Sequence, residues 1–125
     1  MRYLGIDYGS KKVGLAISDE SGRFAFPYQI LPTDKNLVAQ IVAICQKEGI
    51  GQIIVGNSLN YQQEANVVMA AARDFAEQLK TVTSLPLEFE NEILTTAAAN
   101  RDIGPDKETD ARAAALILSS FLDRH

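Results

Sequence analysis

Histidine and cysteine are almost absent from this chain of 125 residues, and their scarcity narrows the chemistry open to it. Cys45 is single and lies within an apolar helical pattern, which excludes an internal disulfide and a cysteine-based zinc site. A reducing, cytoplasmic setting is the matching expectation. The one histidine is the terminal His125, which argues against a histidine metal site and against a serine or cysteine triad. No apolar run approaches the roughly 20 residues needed to cross a bilayer, so no membrane partner is expected. The N-terminus lacks the charged-then-apolar layout of a signal peptide, because Asp7 interrupts it at once. Positive charge is short as well: the formal net charge is −4 and the pI is near 4.9. That balance argues mildly against a nucleic-acid partner, whose affinity comes mostly from phosphate contacts. It is not decisive, since a cluster of acidic metal ligands lowers net charge without removing local basic groups. What remains for chemistry is carboxylates, Lys and Arg, hydroxyls, or a metal.

The chain is long enough for one domain, residues 1–125, with a real core. Its 46% hydrophobic and 22% charged residues match an ordinary globular protein. The opening stretch Arg2–Asp19, RYLGIDYGSKKVGLAISD, reads as a β-hairpin. It starts as an alternating apolar strand and then sets Asp7 where the pattern asks for a hydrophobic or small residue. Aspartate is depleted in strands, and a carboxylate removed from water is costly unless paired or bound to metal. Gly5 and Gly9 bracket it and leave room for a close approach to the backbone. Ser10, Lys11 and Lys12 form a polar turn before Val13, Leu15 and Ile17 resume the alternation. Read alone, Asp7 could equally be a turn-forming residue of the hairpin.

A third strand is predicted over Gly22–Leu31, with Phe24, Phe26, Tyr28 and Ile30 alternating and Pro27 marking a sheet edge. Thr33 or Asp34 can cap a helix running to Glu48, with Leu37, Val38, Ile41, Val42 and Cys45 on one stripe and Gly49 ending it. Gln52–Val55 is short and continuously apolar, as in a strand buried on both faces. A second helix follows over Gln62–Lys80, with Val67, Val68, Ala71, Ala72, Phe75 and Leu79 inward. Pro86–Glu90 is the fifth strand, expected to bury Leu87 and Phe89. Thr95 can cap a short helix to Asn100, then Arg101–Thr109 is a polar loop. The last helix runs from about Lys107 or Asp110 to Arg124, with Ala113, Ala114, Ile117, Leu118, Phe121 and Leu122 apolar. A meander followed by two parallel crossovers is the ribonuclease H-like α/β architecture: a five-stranded mixed sheet, three strands antiparallel and two parallel, flanked by helices.

In that topology Asp7, Glu92 and Asp110 converge on one cleft. Asp7 ends the central strand, Glu92 follows the fifth strand at the same edge, and Asp110 begins the last helix on its apolar stripe. Each has a plainer reading in isolation: Glu92 as an exposed strand-end acid, Asp110 as a favourable charge at a helix N-terminus. Together, three carboxylates without matching cations would repel one another. Divalent ions remove the conflict, and oxygen-only ligation selects Mg²⁺ or Mn²⁺. Two such ions about 4 Å apart can activate water and stabilise the leaving oxygen of a phosphodiester. Lys11, Lys12, Arg101 and Lys107 are the candidate phosphate contacts, each with a solvated surface charge as its plainer reading.

The segment GIDYGSKKVGLAISD resembles the amino-terminal motif of the YqgF/RuvX family of Holliday-junction-resolvase-like nucleases. The similarity spans the chain. VGNSLN at Val55–Asn60 is similar to the family's V-G-L-P-L-N loop, NEILTT at Asn91–Thr96 to its D-E-R-L-T-T, and DARAAALILSSFL at Asp110–Leu122 to its closing D-x-x-A-A-x-x-I-L helix. The resemblance implies an acidic triad of Asp7, Glu92 and Asp110, and a nuclease that matures the precursor of small-subunit ribosomal RNA. It implies structured RNA as partner, with branched DNA as the alternative. Related resolvases act as dimers on two-fold symmetric junctions, so a homodimer is a corresponding expectation. The chain departs from the pattern at Asn91, where the family has Asp, and at Ile93, where Arg would offer a bidentate phosphate donor. Ser58 replaces a proline, and of the lysines typical of the family's loop before the last helix the stretch GPDKETD offers only Lys107, against Asp106 and Glu108. These departures motivate a second reading, a non-catalytic RNA-binding or ribosome-assembly module with a weakened site.

Overall fold

A computed structural model describes residues 1–9, 11–57, 62–91 and 108–124. The hairpin forms as the alternation requires: β1 (Arg2–Asp7) pairs antiparallel with β2 (Lys12–Ser18) in the register Leu4↔Ile17 through Asp7↔Gly14. β3 (Ala25–Pro32) continues the meander on the far side of β2. A crossover through α1 (Leu37–Glu48) brings β4 (Ile50–Asn57) parallel to β1. A second crossover through α2 (Gln62–Thr83) adds β5 (Leu87–Asn91) parallel to β4, and α3 (Glu108–Arg124) closes the chain. The strand order β3-β2-β1-β4-β5 puts β1 at the centre, and this is the ribonuclease H-like sheet.

Alternation sends the two faces of the sheet to different helices. Leu4, Ile6, Val13, Leu15, Ile17, Ile53 and Val55 share one buried cluster with Leu37 and Ile41 of α1 and Phe75 and Leu79 of α2. On the other face Ala16 and Ile54 pack with Ala114, Ile117, Leu118 and Phe121 of α3. At Gly5 and Ala16, near the middle of that face, the residues are small because α3 lies very close. A Cβ at Gly5 would stand 2.8 Å from the Leu118 Cβ and 3.0 Å from the Ala114 carbonyl oxygen. The space beside Gly5 is therefore taken by the chain's own helix.

Several boundaries shift for local reasons. β3 starts at Ala25, three residues later than predicted, because the Asp19 carboxylate organises a turn. Its Oδ1 accepts from the Arg23 and Phe24 amides at 2.8 and 3.0 Å, and Gly22 adopts a left-handed φ of 72°. Pro27 does lie on an edge strand, next to a register shift that leaves Tyr28 without a cross-strand partner. The bulge breaks the expected Phe24–Ile30 alternation: Phe26 pairs with Ile17 on one face, and Ile30 with Gly14 on the other. α1 starts at Leu37, with Asn36 at the cap position. Asp34 instead turns its carboxylate to the Asn36 amide at 2.9 Å. Gly49 closes the helix in the left-handed conformation, donating to the Cys45 carbonyl, as anticipated. Burial pushes the Cys45 thiol up to about 11, consistent with an inert core residue. β4 and α2 are longer than predicted, and Ser84, at φ 59°, follows α2.

The fifth strand carries the main correction. Leu87 is half-buried and Phe89 is 43% exposed, whereas Glu90 is buried. β5 is an edge strand, and the α1/α2 cluster reaches Leu87 without enclosing Phe89. The short helix predicted over Thr95–Asn100 lies outside the described residues.

Gly5→Ala should lower stability by about 1–3 kcal/mol, the usual cost of overpacking, read as a reduced urea midpoint with unchanged slope. Asp19 gives a pH test. Hydrogen bonds from the Phe24 amide, the Ser21 hydroxyl and the Arg23 amide hold its carboxyl well below its ordinary 3.8. A group with a depressed folded pKa stabilises above its unfolded value and loses that contribution as pH falls through the folded one. Asp19→Ala should thus unfold more readily than the wild type near neutrality, with the gap shrinking below pH 3.8.

Candidate active site at the carboxyl edge of the sheet

The parallel strands β1, β4 and β5 end together, at Asp7, Asn57 and Asn91. The carboxyl edge of such a sheet is where α/β proteins usually bind ligands. Ile6 pairs with Val55 and Gly56 with Glu90, so one further step of the register sets Asp7, Gly56 and Glu90 in a row. Leu4 and Ile6 belong to the α1/α2 face and Gly5 to the α3 face, so alternation turns Asp7 toward the α3 face. Asp7 is half-buried there, opposite Gly14 of β2.

Direction along α3 follows from its contacts with β1. Tyr3 lies against Phe121, ring centroids 5.9 Å apart, and Gly5 against Leu118 and Ala114. Two residues up the strand cover about 6.6 Å, close to the rise of four helical residues. The same step from Gly5 to Asp7 leads back from Ala114 to position 110 in the first turn of α3. Asp7 and the backbone of Asp110 thus stand at one level of the fold.

The β1–β2 turn is held from a third element. Thr33 donates its hydroxyl to the Gly9 carbonyl at 2.8 Å and its amide to the Lys11 carbonyl at 2.9 Å. A side chain at Gly9 would meet the Lys12 carbonyl oxygen at 2.6 Å, so the turn is built around glycine. This sets Lys11, exposed, and Lys12, half-buried at the start of β2, on the same edge as Asp7. Tyr8, on the other face, packs against Phe75 of α2 with centroids 5.0 Å apart. A groove of about 380 Å³ opens beside it, lined also by Thr33, Lys35, Leu37 and Asp74. Glu92, Arg101 and Lys107 lie outside the described residues, as do Ser58 to Asn60.

Glu90 is the feature that sequence reasoning missed. Its carboxylate is 2% exposed, accepts from the Ser120 hydroxyl at 2.9 Å and pairs with the Arg124 guanidinium, itself 61% exposed. The signal was present but faint: Ser120 and Arg124 are one helical turn apart on α3, beside Ile117 and Phe121.

Against this geometry, a family model described as RuvX, Holliday junction resolvase, matches residues 1–124. The chain belongs to the RuvX family. Among RuvX relatives, one from Maridesulfovibrio salexigens, named "Putative pre-16S rRNA nuclease", is 33% identical, the match covering 99% of each chain. Another of the same name, from Lawsonia intracellularis, is 34% identical over 99% of this chain and 94% of its own. T. thermophilus RuvC, solved in complex with a Holliday junction substrate, superposes with a TM-score of 0.70 over 99% of this chain and 95% of that one. At 15% identity it supports the shared fold alone.

Thr33→Val removes the hydroxyl donor while preserving shape. It should cost about 0.5–1.5 kcal/mol, and amide exchange at the β1–β2 turn should accelerate more than exchange in α3.

Proposed function

We propose that this chain is a metal-dependent endonuclease that cuts phosphodiester bonds in structured RNA, with the 5′ end of precursor small-subunit ribosomal RNA as its substrate. The observation that carries the reading is the shared level of Asp7, at the end of the central strand, and the first turn of α3, which bears Asp110. Glu92 is the third proposed ligand. Its place in the sequence supports it, directly after β5, whose end at Asn91 shares the sheet edge with Asp7.

The donor set fits Mg²⁺ or Mn²⁺. It consists of carboxylate oxygens, and the single Cys45 is buried in α1 away from this edge. Asp7, Glu92 and Asp110 would hold the ions. A bound pair supplies an activated water and stabilisation of the leaving oxygen. The protein's own work is positional. The β1 backbone fixes the Asp7 carboxylate, the Thr33 bonds fix the turn carrying Lys11 and Lys12, and these ammonium groups receive the flanking phosphates. Arg101 and Lys107 are proposed as further phosphate contacts. The RuvX description favours a second substrate, four-way DNA, which would call for a homodimer matching the junction's two-fold symmetry.

The deciding experiment compares cleavage of a structured precursor RNA and a four-way DNA junction, with Mn²⁺ or Mg²⁺, by the wild type and Asp7→Asn. The expected result is metal-dependent RNA cleavage reduced more than about 100-fold in the variant, since even groups that merely orient ligands cost 10–100-fold. Preferential cutting of the junction would transfer the assignment to DNA. Binding of RNA by both proteins with cleavage by neither would replace the nuclease with a binding module.

A further inference from the structure

β5 is the weakly held member of the sheet. It has five residues and, among the described residues, pairs with β4 alone and contributes no side chain to the apolar cluster beneath α3. The side-chain hydrogen bonds described between β5 and α3 are those of Glu90 to Ser120 and Arg124. Removing a carboxylate from water is costly, and a well-packed apolar residue in its place is often neutral or stabilising. Stability alone therefore gives little reason for a glutamate at this position. A charged, hydrogen-bonded pair does offer direction and register, because it is satisfied at one relative placement of strand and helix, whereas leucine tolerates several.

We propose that Glu90 is a positioning residue: through Ser120 and Arg124 it fixes the end of β5 against α3 and thereby sets the spacing of the carboxylates that hold the metal. Glu90 lies two residues before Glu92, and the helix it grips begins with the turn containing Asp110. The inference rests on the metal-site reading above. It goes beyond that reading by assigning a distinct role to a carboxylate that does not itself bind the ion.

Mn²⁺ titration followed by electron paramagnetic resonance tests it in the whole protein, beside thermal unfolding and cleavage at rising Mn²⁺. Glu90→Ala should weaken Mn²⁺ binding about 10–100-fold, the range for groups that orient metal ligands. Its cleavage should recover toward wild type at saturating Mn²⁺. Glu90→Gln keeps an acceptor for Ser120 or Arg124 and should regain most of the affinity. Should Glu90→Ala fail to fold, Ser120→Ala combined with Arg124→Met removes the same contacts without altering β5, and should weaken Mn²⁺ binding in the same direction. A folded variant with a lowered melting temperature and wild-type Mn²⁺ affinity would overturn the proposal while sparing the metal site. A wild type that binds no Mn²⁺ would overturn both.

Discussion

The close approach of α3 to β1 is the constraint on which the architecture depends. A helix can settle this near a sheet only where the floor is flat, and the residues beneath it are small: Gly5 with Ala16 beside it, and Gly14 beside Asp7. Ile54 on β4 supplies the flanking apolar wall. Side chains at these positions are limited by the distance of the helix, so burial is gained through backbone proximity and through Ile117, Leu118 and Phe121 reaching down from α3. The same approach fixes the helix along its axis. With Leu118 over Gly5 and Phe121 beside Tyr3, the first turn has to stand at the level of Asp7. Core packing and the arrangement of the edge are one geometric decision.

Asp7 and Glu90 show how one row of a sheet can treat two carboxylates differently. They stand two strand spacings apart, roughly 9.6 Å, on the same face. Glu90 is enclosed, and its charge is answered by Arg124 and its lone pairs partly by Ser120. Asp7 is half-buried at the open end of β1. In the proposed site, three carboxylates already compete for the same ions, and a fourth unpaired charge nearby would add repulsion. Pairing Glu90 with a guanidinium supplied from the far end of α3 removes that repulsion without adding a cation among the ligands.

Much of this was legible in the sequence, for identifiable reasons. Val13, Leu15 and Ile17 alternate cleanly with Gly14 and Ala16 because β2 is buried on both faces, large side chains facing α1 and α2 and small ones lying close under α3. Pro27 announced an edge because it lacks an amide to give a further strand, and Gly49 announced a helix end because the left-handed conformation favours it. Asp7 stood out as a charge in a strand. What could not be read depended on contacts between distant segments. The LEFEN pattern of β5 suggested burial of Leu87 and Phe89, but which face is covered at an edge depends on where α2 and α3 run, and α3 covers Glu90. Tyr8 and Phe75 meet only once the second crossover is in place. Asp34 had the composition of a helix cap, and local competition decided against it: its carboxylate reached the Asn36 amide first.

The acidic balance of the chain bears on how a polyanion could be held at this edge. Neither Asn91 nor Ile93 offers the guanidinium or ammonium group that binds phosphate. The basic groups described at the edge, Lys11 and Lys12, are carried by a turn that is held in three ways. Gly9 permits its tight path, Thr33 bonds it at two carbonyls, and Lys12 is already paired with Pro32 in the ladder. A lysine on a stiff base loses less freedom on meeting a phosphate than one on a long loop, so fewer of them can serve. In the proposed enzyme the opening hairpin thus both presents Asp7 and shares in the grip on substrate, and the distance between its gripping charge and the catalytic carboxylate is set by a short, tied segment of backbone.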